Sequence, residues 1–207
     1  MTMTAGLNSQ RKPHARQARR SGDQIADLVG AAGAGDQRAW NELVAEFGSM
    51  IWAIGRVHRL GDADAADVSQ ATWLALFENL GRLNDPARVG AWLATTARRE
   101  CLRVLRDGRR RIPFGDDAPE LESPDPLPGE TLLVRERDEA LRLCFSRLRP
   151  TDQALLRLLT TDPQPAYEEI SAALDMPIGS IGPTRQRALA RLREQLAGQQ
   201  TLGLMTD

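Results

Sequence analysis

Residues 167–193 read YEEISAALDMPIGSIGPTRQRALARLR, and this stretch decides the fold class. Tyr167 to Leu174 reads as a short helix, and Asp175-Met176-Pro177-Ile178-Gly179 as a turn. Ser180 is then expected to cap a long final helix bearing Ile181, Ala188, Leu189, Leu192 and Leu196. Pro183 falls at its third position, where a missing N–H has no intrahelical partner to lose. Two helices joined by a short glycine-containing turn, the second longer and basic, make a helix-turn-helix. Ser180 at the cap leaves backbone N–H groups facing outward, suited to a phosphate. Thr184, Arg185 and Arg187 lie in the helix half that reaches base edges, while Arg191 and Arg193 suit flanking phosphates. A bidentate Arg–guanine pair is worth about 1–3 kcal/mol of discrimination. The bland reading is a solvated basic face; the absence of any acid from 182 to 193 tells against it.

Working outward, Leu133, Val134, Leu141, Cys144, Phe145 and Leu148 mark a helix that stops before Pro150. Thr151 is expected to cap the next, through Ala154, Leu155, Leu158 and Leu159. Upstream, residues 112–130 hold five prolines and six acids without a basic residue, which reads as a linker. Before it stands a second helical set. Ile25, Leu28, Val29 and Ala32 form a short stretch; Asp36 can cap a helix carrying Trp40, Leu43, Val44, Phe47, Ile51 and Ile54. Asp62 or Asp64 opens a third, with Val68, Ala71, Leu74 and Phe77, and Trp73 and Leu76 offset by one. Asp85-Pro86 reads as a cap and first position for a fourth, whose stripe of Val89, Trp92, Leu93, Thr96, Ala97, Cys101 and Leu105 ends at Asp107-Gly108. No strand-like alternation survives. The expected fold is all-α: two small helical domains joined by a Pro/acid-rich linker. The divisions are a disordered basic tail at 1–22, a first domain at 23–111, the linker at 112–130, a second domain at 131–197 and a tail at 198–207.

Charge is segregated along the 207 residues. Lys+Arg 27 against Asp+Glu 28 averages to −1, yet Arg98, Arg99, Arg103, Arg106, Arg109, Arg110 and Arg111 crowd one helix end. Arg99, Arg103, Arg106 and Arg110 recur every three or four residues, a ladder fit for a nucleic-acid backbone or, more plainly, for solubility. Asp62, Asp64, Asp67, Gln70 and Trp73 form another group, readable as helix-dipole stabilisation or as a protein-docking surface. No clustered carboxylates with histidine, no phosphate-binding glycine loop and no nucleophile motif occur, so an enzyme is not expected. Two cysteines and two histidines lie far apart, which argues against a disulfide framework, a structural zinc or any other metal. No apolar run approaches a membrane span, and the N-terminus lacks a signal peptide. A reduced, cytoplasmic, cofactor-free protein without membrane insertion is the expectation.

Here the residues carry a resemblance. Asp67-Val-Ser-Gln70-Ala-Thr-Trp73-Leu resembles the D-x-x-Q-x-x-[FW]-L signature in domain 2 of bacterial sigma factors. Residues 82–99, with Ala91-Trp92-Leu93 and Ala97-Arg98-Arg99, look like that domain's promoter −10 segment; residues 148–156, 167–174 and 176–193 are similar to sigma domain 4. With only domains 2 and 4, over about residues 23–197, the chain resembles the extracytoplasmic-function (ECF) group of RNA polymerase sigma factors. The resemblance implies a promoter-specificity subunit that binds core RNA polymerase and promoter DNA and is held by an anti-sigma factor. It implies polymerase docking through Asp64, Asp67, Gln70 and Trp73. It also implies −10 contacts from Asn84, Asp85 and Arg88 in the base-capturing loop and from Arg98, Arg99, Arg103 and Arg106 behind it, and −35 contacts from Ser180, Thr184, Arg185, Arg187 and Arg191. Val89-Gly90 replaces the family's commoner aromatic-basic pair, and Glu100 its usual Asn. The rival reading is a stand-alone helix-turn-helix regulator, which leaves the Asp67/Gln70 helix without a purpose.

Overall fold

The structure, a computed structural model, describes residues 19–111 and 132–203, all helix or connecting turn. The first half holds α1 (Gly22–Gly33), α2 (Gln37–Val57), α3 (Asp62–Asn79) and α4 (Val89–Arg111). Two 3-10 turns, Leu80–Arg82 and Pro86–Arg88, lead from α3 into α4. The second half holds α5 (Leu132–Ser146), α6 (Pro150–Leu159), α7 (Tyr167–Leu174) and α8 (Ile178–Gly203). The expected linker lies outside the described residues.

Local chemistry sets the helix starts. Ser21 Oγ accepts from the Gln24 N–H while Gln24 Oε1 accepts from the Ser21 N–H, a reciprocal cap that begins α1. Order thus reaches into the expected tail: residues 19–22 are placed and tied down. Gly35, at φ +92°, reverses the chain, and Asp36 Oδ1 accepts from Arg38 N–H at 2.8 Å to start α2.

Other starts differ from expectation, each for a local reason. The cap expected at Asp85 is a 3-10 turn, and α4 begins only at Val89. Its far end runs through Asp107-Gly108 to Arg111, because one glycine costs a helix only about 1 kcal/mol. Pro150 occupies the first position of α6, so Thr151 is inside the helix rather than capping it. Helix α8 starts two residues before Ser180, placing Pro183 in its second turn, and extends through the expected tail to Gly203.

The core is continuous across the halves. Leu43, Phe47, Ile51 and Ile54 of α2, Val68 and Leu76 of α3, and Leu93, Ala97 and Cys101 of α4 pack together. The same cluster takes in Leu155 and Leu158 of α6, Ile170 and Ala173 of α7, and Ile181 of α8. A smaller cluster of Leu148, Leu156 and Ala188 joins α5, α6 and α8. Fully burying such a side chain stabilises by about 1.5–3 kcal/mol, so the shared cluster binds the halves as well as folding each. Among the described residues the most extensive helix–helix contact is α4 against α7. Burial pushes the Cys101 thiol up to about 12, as expected of an inert core cysteine. Leu74, Phe77, Val44 and Leu141, read from periodicity as core, are instead exposed. No described helix is long and apolar enough to cross a membrane.

Candidate nucleic-acid interface

The turn between α7 and α8 is made rigid by its own polar groups. Asp175 takes the left-handed conformation at φ +54°, Ser171 Oγ donates to Met176 O at 2.7 Å, and Met176 N–H returns to Ser171 O. Ile170, Ala173 and Ile181 lock the two helices together beneath it. Arg185 and Arg187 stand on the exposed side of α8, and Arg187 donates to Thr184 Oγ1 at 3.1 Å, which orients the guanidinium. Two predicted residues are otherwise employed. Ser180 donates both its hydroxyl and its backbone N–H to Pro177 O, at 2.7 and 2.9 Å, so neither is left for a phosphate. Arg191 is ion-paired with Asp152, which is 3% exposed, and thereby ties α8 to α6.

The arginines of α4 divide in the same way. Arg99 and Arg106 are exposed and flank Leu102 and Leu105 in a shallow depression. Arg103 is exposed too but bonded to Glu100 at 2.6 Å. Arg98 reaches across to the second half and meets Asp175 at 2.7 Å. Asn84, Asp85 and Arg88 lie exposed on the turns before α4, with Arg88 N–H closing the second turn onto Asp85 O at 3.1 Å. Behind Arg88 is a cavity of about 360 Å³, lined by Arg19, Phe47, Gly90, Glu168 and Glu169 among others.

On the opposite side, α3 buries Ala65, Val68, Thr72 and Leu76 and turns Asp64, Asp67 and Gln70 to solvent. The outward stripe continues into Leu74, 56% exposed, and Phe77, 67% exposed. Trp73 is half-buried, edge-on to Trp40 at 5.8 Å between ring centroids, and Trp40 meets Phe77 edge-on at 6.0 Å. Acids, an amide and an exposed apolar end on one helix face suit protein docking. Sequence periodicity missed Leu74 and Phe77 because α3 is apolar on more than one side.

Sequence reasoning also missed the polar contact between the halves. Glu169, 6% exposed, accepts the Ala166 N–H at 2.7 Å and closes the start of α7. Arg19 grips both of its oxygens, at 2.8 and 2.6 Å, and also reaches Glu46 at 3.4 Å over the face of Phe47. Burial opposes the charge on Arg19, but its bonds to Glu169 and Glu46 outweigh this and hold it above its ordinary value. A further cleft between α2 and α6 is lined by Trp52, Arg56, Arg157 and Thr161. Arg56 and Arg157 bring positive charge to the cleft, Arg56 being paired with Asp62 at 2.6 Å, and burial followed by the charges of Arg56 and Arg59 holds Arg157 below its ordinary value.

Comparison with known proteins fits this geometry. Residues 43–111, from within α2 to the end of α4, match the family described as Sigma-70 region 2. A probable RNA polymerase sigma factor, RfaY, of Xanthomonas campestris is 26% identical over 170 residues, covering 80% of this chain and 42% of its own length. The ECF RNA polymerase sigma factor SigE of Mycolicibacterium smegmatis is 26% identical over 168 residues, covering 79% of this chain and 65% of its own. The chain therefore spans less than two thirds of either relative. Among solved structures, CnrH in complex with the cytosolic domain of CnrY shares the fold, with a TM-score of 0.54 at 20% identity, over 84% of this chain and 97% of that one.

Proposed function

We propose, from the premise that this chain carries a sigma-70 region 2 domain and is of the ECF sigma-factor type, that it directs core RNA polymerase to two-part promoters. It performs no chemistry; its work is binding and DNA opening. The observation that carries the reading is the outward stripe of α3. Asp64, Asp67 and Gln70 run in line with Leu74 and Phe77 inside the matched domain, on a face left uncovered among the described residues.

Each interface then has a task. The α3 stripe docks on the polymerase, its apolar end supplying desolvated area and its acids fixing register. Arg185, together with Arg187 oriented through Thr184, reads −35 base edges in the major groove. Arg88 borders a cavity large enough for an extruded base, Asn84 and Asp85 stand exposed on the turns that lead to it, and Arg99, Arg103 and Arg106 follow the backbone of the separated strand. Unstacking costs a few kcal/mol, which hydrogen bonds in that cavity must return. CnrH was captured with the cytosolic domain of another protein, which supports a regulatory anti-sigma partner here. The electropositive cleft of Trp52, Arg56 and Arg157 suits an acidic, apolar segment of such a partner.

Co-elution with purified core polymerase tests the docking face. Phe77→Ser and Gln70→Ala are expected to weaken co-elution about ten-fold or more, since desolvated anchors dominate interfaces. Arg187→Ala serves as the control that leaves it unchanged. Equal co-elution of all variants would remove α3 as the docking helix.

A further inference from the structure

The strip of α8 turned furthest from the core carries no charge. Ile181 and Ala188 are fully buried and fix which side of the helix faces inward. At about 100° per residue, Gln186 lies roughly 140–160° round the helix from both, and it is exposed. Arg185 and Arg187 stand about 100° to either side of it. Gly179 and Gly182 fall within about 40° of Gln186 on the same side, and a Cβ at either would meet nothing within 4 Å. Glycine weakens a helix relative to alanine, so packing does not account for these two open positions. Gly182 has a local reason, since it relieves the crowding between Pro183 and the residue before it. Gly179 precedes no proline and lacks that reason.

We propose that Gln186 is a specificity-determining residue of the helix-turn-helix: its amide forms two hydrogen bonds with one adenine in the major groove, and the bare backbone at Gly179 and Gly182 lets α8 come close enough for it to reach. This rests on the sigma-factor reading and deepens it by naming a base. The chemistry of the amide selects that base. A glutamine amide donates and accepts side by side, which matches the N7 acceptor and N6 donor of adenine. Guanine presents two acceptors there, which suit the guanidinium groups of Arg185 and Arg187 instead. Reach is the difficulty, because a glutamine arm is two bonds shorter than an arginine arm. Side chains at 179 and 182 would hold the helix off the base edges, leaving the amide short while the guanidinium groups still arrived. Two glycines on that strip remove the obstruction.

The test is selection from a duplex library randomised over the −35 region, with the full chain alone and with the full chain bound to purified core polymerase. For the unaltered chain, one position should be enriched in adenine. Gln186→Ala should lose that preference about ten-fold, at that position alone, with thermal melting unchanged because an exposed helix position accepts alanine. Gln186→Glu accepts but cannot donate, so the preference at the same position should move from adenine to cytosine, whose N4 amine donates. A merely structural role for Gln186 would not exchange one preferred base for another. Gly179→Leu should also lose the adenine preference while keeping those set by Arg185 and Arg187. Unchanged preferences in Gln186→Ala and Gln186→Glu would overturn the proposal and leave the helix-turn-helix standing. An adenine preference retained by Gly179→Leu would overturn the close approach. No enrichment by the unaltered chain in either arm would remove the −35 reading itself, and the role of Gln186 with it.

Discussion

The two helices richest in arginine, α4 and α8, are both basic and differ in availability. On α8, Arg185 and Arg187 face solvent without an acid partner among the described residues, and Arg187 is merely steadied by Thr184. On α4, Arg98 is committed to Asp175 and Arg103 to Glu100, and the first turn is covered by Glu169. Counting arginines treats the helices alike; counting their partners separates one whose guanidinium groups stand open to solvent from one whose guanidinium groups are partly committed. Position relative to the shared core makes the difference. Helix α4 lies between α2, α3 and α7, while α8 leaves its basic side outside the bundle.

The largest blow to this comparison is a cavity beneath the point where the halves meet. Phe47→Ala removes a 2% exposed ring lying against Gly90 and Arg19 and should cost about 4 kcal/mol in urea denaturation. One cooperative transition shifting as a whole would confirm that the halves unfold together; two separate transitions would divide them. Asp152→Ala is next. It strips Arg191 of its partner and should destabilise the protein by about 2–3 kcal/mol, less than a fully buried pair would lose because Arg191 is partly exposed. A gain in −35 binding without loss of stability would instead show Arg191 free to contact DNA.

A finer test sets the helices against each other directly. Arg187→Ala should weaken duplex binding by about 1–2 kcal/mol with no change in midpoint denaturant. Arg98→Ala should alter the coupling of the halves more than the affinity for duplex. Equal effects of the two on duplex binding would erase the distinction.

The smallest expected effect is a titration. His58, half-buried at the end of α2 and with no hydrogen-bond partner for Nε2 among the described residues, is held below the ordinary 6.5 by burial and then by the charge of Arg98. The unfolded chain therefore takes up the proton more readily than the folded one. Stability should be full above about pH 6.5 and fall as pH drops from there through the lowered folded value. His58→Gln should flatten that slope in thermal melts between neutral and mildly acidic pH. An unchanged slope would assign the acid sensitivity to another group.

The helix order was readable because each helix carries one dominant apolar stripe and most are separated by Gly, Pro or Asp signals. Asp36 performs the expected capping, and both cysteines are buried as their neighbours implied. Helix starts near prolines were read two to three residues late or early, since Pro86 favours a 3-10 turn and Pro183 is tolerated in a second turn. On α3 the apolar residues occupy two faces, and only packing against α2 and α4 decides that Leu76 is covered while Phe77 is not. The approach of the halves was not legible at all. Arg19 and Glu169 are 150 residues apart, and Glu169 alone reads as an ordinary capping acid. Gly90, standing where the resembled family favours a basic side chain, was the one local sign.

Run-off transcription from a genomic promoter library, with purified core polymerase and with or without this protein, tests the central claim most directly. The account predicts transcripts that depend on the added protein and start from promoters sharing a −35 and a −10 element. Duplex binding without polymerase recruitment, and no protein-dependent transcript, would contradict it and leave a stand-alone helix-turn-helix regulator.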